Sequence, residues 1–294
     1  MSVVAFVGLG AMGLPMARNL LSKGFEVRGW DLSDKALDAL AQSGGVRVTS
    51  LADATRGADV LVLMVVNASQ AESILVQQGV LDGLAANAVV CLMATCPSGA
   101  VQNLSKSVAS ANRRFVDAPV SGGVAGAVAG SLTIMAAAER ASFDAVEPVF
   151  NALGERVFYI GPTPGQGAMV KTVNQLLCGV HIAVMAEAFS LAAKAGIDLE
   201  LLLEIMQGSA ASSWMLHDRG PRMLQDDPEV TSTVDIFVKD LGIVLETGKD
   251  ARAALPIAAA AAQLFLAASG RGDGLADDSQ VIRSYFALNN ARTK

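Results

Sequence analysis

The sequence predicts an α/β protein in which a Rossmann-type doubly wound parallel sheet is followed by an all-helical domain. Short Val-rich apolar runs alternate with helical segments in the first half of the chain, and a glycine-rich turn follows the first run. No strand pattern occurs in the sequence from Gln166 onward. The length of 294 residues, about twice that of a common single domain, also favours two units.

The predicted strands are short apolar runs rich in β-branched residues, most of which end at Gly, Asp, Asn or Pro. Helical segments between them predict right-handed crossovers between parallel strands, and the last two runs are expected to complete the same parallel sheet. The predicted strands cover residues 3–8, 27–31, 60–65, 89–93, 114–117, 131–136 and 156–160.

The domain boundary is predicted where alternating strand and helix patterns give way to helical patterns alone. Residues 161–165 are rich in Pro and Gly, and the longest helical segment, residues 167–195, follows them. We therefore predict a first domain over residues 1–163 and a helical domain over residues 164–294.

Composition limits the classes of partner. Hydrophobic residues make up 52% and charged residues 17%, which excludes a disordered chain. The net charge of −6 argues against nucleic acid or an anionic membrane surface as a partner. The most apolar stretch, residues 176–193, is interrupted by His181 and Glu187. We expect no membrane span, no targeting signal, no disulfide framework and a cytoplasmic protein.

A glycine-rich turn joins the first predicted strand to the first predicted helix. Gly8 allows a tight turn, Gly10 lets the backbone approach a pyrophosphate, and Gly13 permits close packing of the helix on the strand. The N–H groups at the start of the helix would then face the phosphates. The pattern predicts a dinucleotide site, and the alternative is a turn that binds no ligand. Its residues are Gly8, Leu9, Gly10, Ala11, Met12 and Gly13.

Asp31 ends the second predicted strand, 18 residues after Gly13. A carboxylate there accepts hydrogen bonds from both hydroxyls of the adenosine ribose and repels a 2′-phosphate. The next residue is Leu32, so no arginine is placed to neutralise such a phosphate. We therefore predict NAD in preference to NADP as the cofactor, and the alternative is an ordinary Asp at a turn.

A second glycine pair follows the fifth predicted strand, in the run Asp117-Ala118-Pro119-Val120-Ser121-Gly122-Gly123. Ser121 offers a hydroxyl, and Gly122 and Gly123 offer backbone N–H groups at a predicted helix start. These groups suit a small carboxylate, so we predict a carboxylic-acid substrate here. The alternative is a plain Ser-Gly-Gly turn.

Lys171 lies within the long apolar helical segment. Helical spacing places Lys171, Asn174, Cys178 and His181 on one face. Burial lowers the pKa of a lysine, so Lys171 is a candidate general base for alcohol oxidation. It would take the hydroxyl proton while the hydride passes to nicotinamide, and Asn174 would fix the geometry.

The sequence contains none of the spacings that characterise metal or nucleophile sites. Two histidines and three cysteines show no metal-ligand spacing, and we predict no metal cofactor. Cys96 has no basic neighbour in sequence, and an apolar helix makes His181 more typical of a core residue than of a catalyst.

Four separated motifs resemble those of the β-hydroxyacid dehydrogenase family, which includes 3-hydroxyisobutyrate dehydrogenases. The resemblance covers essentially the whole chain and implies the same two domains, the first binding the cofactor and the second serving substrate binding and oligomerisation. The motifs are Phe6-Val7-Gly8-Leu9-Gly10-Ala11-Met12-Gly13, Asp117-Ala118-Pro119-Val120-Ser121-Gly122-Gly123, Gly165-Gln166-Gly167 leading into Lys171 and Asn174, and Lys239-Asp240-Leu241.

The resemblance also implies residue roles and an assembly state. The implied catalytic residue is Lys171, and the implied carboxylate-binding residues are Ser121, Gly122 and Gly123. The cofactor contacts expected beside the glycine turn and Asp31 are Val65, Thr95 and Lys239. A homodimer or homotetramer is expected.

Lys239 has an alternative interpretation. Asp235 stands four residues before it, a favourable spacing for an exposed helical ion pair worth about 0.3–0.5 kcal/mol. The residues alone favour this ion pair, and the resemblance favours a functional role.

Within the family, residues 174–183 and 234–244 are similar to the L-threonate dehydrogenase branch, which uses NAD to oxidise the C2 hydroxyl of four-carbon sugar acids. We therefore expect NAD-dependent oxidation of a small hydroxy acid, with L-threonate first. The alternatives are oxidation of 3-hydroxyisobutyrate and reduction of tartronate semialdehyde or succinic semialdehyde. Imine reductases and non-catalytic dinucleotide sensors of this architecture are disfavoured because they generally lack the lysine.

Overall fold

The computed structural model describes residues 2–77 and 79–290. The chain divides into two compact units, one ending at Lys171 and the other starting at Thr172. This division falls inside the helix Gln166–Lys194, whereas the sequence places the boundary after residue 163. The first turn of that helix packs within the first unit, which explains the later division.

Within the described residues, nine strands form one sheet in the order β3-β2-β1-β4-β5-β6-β8-β7, with β9 beside β8. The seven predicted strands are confirmed, and two short strands, β3 and β7, are additional. The strands are β1 Val3–Val7, β2 Glu26–Trp30, β3 Val46–Arg47, β4 Val60–Leu63, β5 Val89–Leu92, β6 Arg114–Asp117, β7 Val120–Ser121, β8 Leu132–Ala137 and β9 Gly154–Gly161.

The far edge of the sheet departs from the predicted parallel arrangement. Strands β1 to β6 are parallel to one another, but β8 runs antiparallel to β6 and β7, and β9 is parallel to β8. The expectation that these last strands continue the same parallel sheet is therefore wrong. The link from β7 to β8 holds only the short helix Gly123–Ala129, and a parallel return needs a crossover of about a dozen residues or more.

Helices cover both faces of this sheet, as expected for a doubly wound fold. One apolar core includes Phe6, Met16 and Phe150, and the other includes Leu61 and Leu92. The helices of the first unit are α1 Gly13–Ser22, α2 Asp34–Gln42, α3 Leu51–Thr55, α4 Ala68–Leu75, α5 Val80–Gly83, α6 Ser98–Ser110, α7 Gly123–Ala129 and α8 Arg140–Leu153.

The second unit is helical, as predicted. Its core contains Phe189, Phe237 and Phe265, and the last two rings stack with centroids 5.1 Å apart. A π-helical segment, Ser269–Asp273, and a 3-10 helix, Asp278–Val281, precede the last helix. The α-helices are α9 Gln166–Lys194, which begins in the first unit, α10 Leu199–Gln207, α11 Trp214–Met223, α12 Val234–Asp250, α13 Pro256–Ala268 and α14 Ile282–Asn289.

Helix α9 is the one helix among the described residues that is long and apolar enough, by length and composition, to cross a membrane. Core helices of soluble proteins meet the same criterion. Ile182, Ala186 and Phe189 of α9 are almost fully buried in the core of the helical unit, which accounts for part of its apolar composition.

Candidate active site

The glycine turn between β1 and α1 has the geometry that its residues require. Gly8 has φ +92°, and a Cβ there would lie 2.3 Å from the carbonyl oxygen of Met64. A Cβ on Gly13 would lie 1.8 Å from the carbonyl oxygen of Gly8, so α1 packs directly against the end of β1. Contacts within the chain therefore account for the first and third glycines.

Gly10 is different because nothing in the chain lies within 4 Å of the position that its Cβ would occupy. Gly10 and Ala11 are exposed, whereas Leu9 is buried and Met12 is half-buried. Packing within the chain does not require glycine at position 10. An open backbone at the start of α1, where helical N–H groups lack intrahelical acceptors, fits the close approach of a pyrophosphate.

Asp31 follows β2 directly and lies against the glycine turn. Its Oδ2 accepts a hydrogen bond from the N–H of Leu9 at 2.6 Å, and its Oδ1 accepts one from the N–H of Ser33 at 2.8 Å. The neighbouring Leu32 is 90% exposed and packs against nothing substantial. The carboxylate is therefore held next to the turn in a fixed orientation, beside an open side-chain position.

Strand register places the proposed cofactor residues at one edge of the sheet. Val7 of β1 is level with Trp30 of β2 and Leu63 of β4, and Leu63 is level with Leu92 of β5. Strand order reverses between β1 and β4, and ligands of such sheets bind beyond the carboxyl ends of the strands at this point. The half-buried side chains that follow β4 and β5 at this edge are Val65 and Thr95.

The Ser-Gly-Gly run lies between β7 and α7. Ser121 ends β7, Gly122 has φ +129°, and Gly123, with φ +60°, begins α7. Both glycines adopt backbone conformations that other residues rarely adopt. The run therefore turns sharply, and its Ser hydroxyl and backbone N–H groups lie close together in sequence at the turn.

A buried carboxylate holds the start of helix α9. Asp117, at the end of β6, is 1% exposed, and its Oδ2 accepts hydrogen bonds from the N–H groups of Gly165 at 2.8 Å and Ala168 at 2.9 Å. Burial raises the pKa of Asp117 to about 6, against the lowering effect of these backbone donors. A carboxylate bound to the first N–H groups of a helix also complements the helix dipole.

Two further contacts fix the same helix start. A Cβ on Gly167 would lie 2.4 Å from the carbonyl oxygen of Met135 in β8 and 3.0 Å from that of Asp117, so the first turn lies directly on the sheet. Ser98, the first residue of α6, donates from its hydroxyl to the carbonyl oxygen of Gly165 at 2.9 Å. The first turn of α9 is therefore held by β6, β8 and α6.

Lys171 lies one turn beyond Ala168 on α9 and is 7% exposed. The expected burial of this lysine is therefore present in the structure. Asn174 is three residues further along the same helix, and its Nδ2 donates to the Sγ of Cys178 at 3.5 Å, as their shared face requires. Nδ2 also donates to the Oε1 of Gln175 at 2.9 Å.

Lys239 lies on α12, with its Nζ 2.7 Å from the Oδ1 of Asp240. Asp235, the partner considered from sequence spacing, accepts a hydrogen bond from the hydroxyl of Ser269 at 2.6 Å. The ion pair that the structure gives Lys239 is thus with the adjacent, buried carboxylate.

Sequence reasoning missed three polar residues at the site. Asp117 and Asp240 stand in the sequence motifs, but the motifs did not reveal that each holds α9. Gln175 and Asp240 are buried and hydrogen-bonded to each other, and no sequence pattern links them. The available signal was the presence of an amide and a carboxylate in otherwise apolar helices, where buried polar groups need partners.

The described residues contain no cluster of three or more His, Cys, Asp or Glu side chains that could hold a metal ion. Cys91 and Cys96 are buried, and burial raises the pKa of the Cys91 thiol well above its usual range.

Comparison with known families agrees with this arrangement. Residues 3–161 match the NAD-binding domain of 6-phosphogluconate dehydrogenase. Residues 165–285 match the NAD-binding region of NADP-dependent 3-hydroxyisobutyrate dehydrogenase. The fold and the matched regions define a dinucleotide-dependent oxidoreductase.

Individual relatives match over nearly the whole chain. An L-threonate dehydrogenase from Cupriavidus necator is 40% identical, covering 96% of this chain and 95% of the relative. A 2-(hydroxymethyl)glutarate dehydrogenase from Eubacterium barkeri is 35% identical, covering 95% and 93%. The crystal structure of a 3-hydroxyisobutyrate dehydrogenase from Salmonella typhimurium has a TM-score of 0.92 at 39% identity, covering 96% and 99%.

The chain therefore belongs to the β-hydroxyacid dehydrogenase family, and the resemblance seen in the sequence is confirmed. As a member, it is a dinucleotide-dependent dehydrogenase of small hydroxy acids.

Asp117→Asn removes a carboxyl group that resists ionisation. Because the folded-state pKa of Asp117 is raised to about 6, its contribution to the free energy of unfolding falls as pH rises from its ordinary pKa through 6. The wild-type protein should therefore lose stability relative to the variant between pH 4 and pH 7, by about 2 kcal/mol. Urea unfolding followed by circular dichroism at each pH measures this difference.

Ser98→Ala is the control, because it removes a neighbouring contact to Gly165 without removing a titratable group. Its stability difference from wild type should be independent of pH. A pH-independent difference for Asp117→Asn would contradict the cost of ionising this buried group.

Proposed function

We propose that the protein oxidises L-threonate at its C2 hydroxyl to the 2-oxo acid, with NAD as cofactor and Lys171 as the general base. The observation that carries the catalytic assignment is the buried Lys171, one turn into a helix whose start is bound to the end of β6 by Asp117. The substrate is supported by relatives named L-threonate dehydrogenases, 38–40% identical over at least 95% of this chain.

The chemistry needs a base and a fixed substrate carboxylate. A bound nicotinamide cofactor supplies the hydride acceptor. In the proposed reaction, the neutral form of Lys171 takes the proton from the substrate hydroxyl. The amide of Asn174, one turn away, holds the hydroxyl or the lysine in the reactive geometry. Ser121, Gly122 and Gly123 bind the carboxylate through a hydroxyl and backbone N–H groups.

Other small acids are the alternative substrates of the same groups. The similar structure from Salmonella typhimurium is named a 3-hydroxyisobutyrate dehydrogenase, which favours 3-hydroxyisobutyrate as the second candidate. Tartronate semialdehyde and succinic semialdehyde are candidates for the reverse reaction. A non-catalytic dinucleotide sensor would not need a buried lysine at position 171.

The substitution Lys171→Met tests the catalytic assignment. Absorbance at 340 nm, with NAD and millimolar L-threonate, should show NADH formation by the wild-type protein and a rate lowered by about a hundredfold or more in the variant. NADH binding, measured by fluorescence, should stay within about twofold. Lys194→Met, which removes an exposed lysine from the other end of α9, is the control and should retain activity.

The outcomes separate the proposals. No reaction with L-threonate, but reaction with another acid in a panel of hydroxy acids and semialdehydes, would replace the substrate. Full activity of Lys171→Met would contradict the assignment of the base. NADH binding by the wild-type protein without oxidation of any acid would favour the sensor.

The preference for NAD is proposed from the geometry of Asp31. Its carboxylate is fixed by two backbone N–H groups beside the glycine turn, and a 2′-phosphate would place a second negative charge near it. Leu32 offers no compensating positive charge.

Asp31→Ala should lower the ratio of kcat/KM for NAD to that for NADP by roughly tenfold or more, because a charged acceptor is lost and a repulsive charge is removed. Initial rates with each cofactor measure this ratio. Asp34→Ala, which removes an exposed carboxylate three residues away, controls for a general change in charge. An unchanged ratio in Asp31→Ala would show that Asp31 does not select the cofactor.

We propose that the protein is a cytoplasmic homodimer or homotetramer, with neither nucleic acid nor membrane as a partner. Helix α9 carries exposed apolar side chains in the second unit, and their spacing puts them on one face. A repeat of seven suits packing against the same helix of a second copy. The side chains are Val173, Leu177, Val184 and Leu191.

Sedimentation velocity should show a dimer or tetramer for the wild-type protein. Leu177→Glu combined with Leu191→Glu should shift the distribution toward monomer, because two charges would be buried in the contact. Gln263→Glu, at an exposed position of α13, adds negative charge outside this face and should not change the distribution. A wild-type monomer would contradict the proposed assembly.

A further inference from the structure

Asp240 is a buried carboxylate at the centre of helix α12. It is 2% exposed, and both of its oxygens have defined neighbours. Oδ1 lies 2.7 Å from the Nζ of Lys239, and Oδ2 accepts a hydrogen bond from the Nε2 of Gln175 at 2.5 Å. A carboxylate buried among helices is stable only when it is paired, so these two contacts constrain one another.

Gln175 is the second member of the same arrangement and is 8% exposed. Its Nε2 must donate to the carboxylate of Asp240, which accepts but cannot donate when ionised. Its Oε1 therefore faces the other way and accepts from the Nδ2 of Asn174 at 2.9 Å. The carboxylate thus fixes which end of the Gln175 amide faces each neighbour.

The orientation of the Gln175 amide in turn determines the orientation of the Asn174 amide. Because the Nδ2 of Asn174 donates to Gln175 and to the Sγ of Cys178, the acceptor that Asn174 can offer to a hydroxyl or an ammonium group is Oδ1. A reversed Asn174 amide would place two oxygens against each other at Gln175. The negative charge of Asp240 therefore selects the orientation of the Asn174 amide through Gln175.

Close helix packing supports this chain of contacts. A Cβ on Gly179, four residues after Gln175, would lie 2.8 Å from the Cδ2 of Leu241, the residue after Asp240. Helices α9 and α12 therefore approach closely beside the contact between Gln175 and Asp240. Such packing limits the side-chain movements that would break the hydrogen bonds.

We propose that Asp240 and Gln175 are positioning residues that orient two groups of the proposed active site with one buried charge. Asp240 holds the ammonium group of Lys239 for the cofactor, and through Gln175 it holds the amide of Asn174 for the reacting hydroxyl. This inference rests on the proposed function, because that proposal gives Lys239 and Asn174 their roles. A purely structural pair would stabilise the fold without affecting cofactor binding or turnover.

Two single substitutions separate the two ends of the arrangement. Gln175→Met keeps the volume and leaves the ion pair of Asp240 with Lys239, but it removes both amide hydrogen bonds. It should lower kcat about tenfold and leave the dissociation constant of NADH within about twofold. Asp240→Asn places an amide donor or a neutral oxygen against Lys239 and should weaken NADH binding about tenfold.

Ser190→Ala is the matched control. Ser190 is buried on the same helix and accepts a hydrogen bond from the Nδ2 of Asn289 at 2.9 Å, so its loss also removes a buried contact. It should lower the midpoint of thermal unfolding without changing kcat or NADH binding.

The double substitution Gln175→Glu with Asp240→Asn exchanges the amide and the carboxylate. The carboxylate at position 175 accepts from Asn174 and from the amide at position 240, whose oxygen accepts from Lys239. Every donor again has an acceptor, whereas Gln175→Glu alone sets two carboxylates against each other. The double variant should recover kcat to within about threefold of wild type, because Asn174 is oriented as before. Its NADH binding should stay about tenfold weaker, because a neutral oxygen still faces Lys239.

The measurements distinguish a positioning role of Asp240 and Gln175 from a purely structural one. Single variants that lower the unfolding midpoint, as Ser190→Ala does, but keep kcat and NADH binding within twofold of wild type would overturn the proposal. A folded double variant whose kcat stays as low as that of Gln175→Met would also overturn it, and this test holds where a single variant does not fold.

Failure of the proposed function can be recognised separately. If the wild-type protein binds NADH but oxidises no acid, the proposed reaction fails. The dissociation constant of Asp240→Asn, compared with that of Ser190→Ala, then still decides whether Asp240 positions Lys239.

Discussion

The arrangement of the first unit depends on two hydrogen bonds that the Asp117 carboxylate accepts from the N–H groups of Gly165 and Ala168. These bonds hold the first turn of α9 against the end of β6. Burial raises the pKa of Asp117 and so favours its neutral form. Gly167 lets the same turn lie directly on the sheet. Lys171 follows one turn later, so its place is set by backbone contacts rather than by its own flexible side chain.

Helix α9 is held by a buried carboxylate at each of two points along its length. In the first unit its start is fixed by the carboxylate of Asp117, and in the second unit Gln175 is fixed by the carboxylate of Asp240. Between these two points lie Lys171 and Asn174, the proposed catalytic residues. Both anchoring carboxylates are buried, so each must keep its partners, and each therefore restricts the helix to one position relative to its neighbours in that unit.

The sequence predicted the elements well because their signals are local. Val-rich runs and the glycine turn locate the strands, and the burial of Lys171 follows from its apolar neighbours in sequence. The direction of β8 could not be predicted, because a short apolar run has the same sequence pattern in a parallel and in an antiparallel strand. The contact of Gln175 with Asp240 joins residues 65 positions apart, and no local pattern reports a pairing created by the packing of two helices.

Asp31 and Leu32, the two positions considered for cofactor selection, differ in how easily they can be substituted. Leu32 projects into solvent, so residues of almost any size fit there at little expense to stability. Asp31 is different, because its Oδ2 also accepts the N–H of Leu9 inside the glycine turn. With the proposed preference for NAD, a natural or engineered change toward NADP would therefore be easiest if it began at position 32. A later replacement of Asp31 would have to retain a hydrogen-bond acceptor, and the order of the two steps matters.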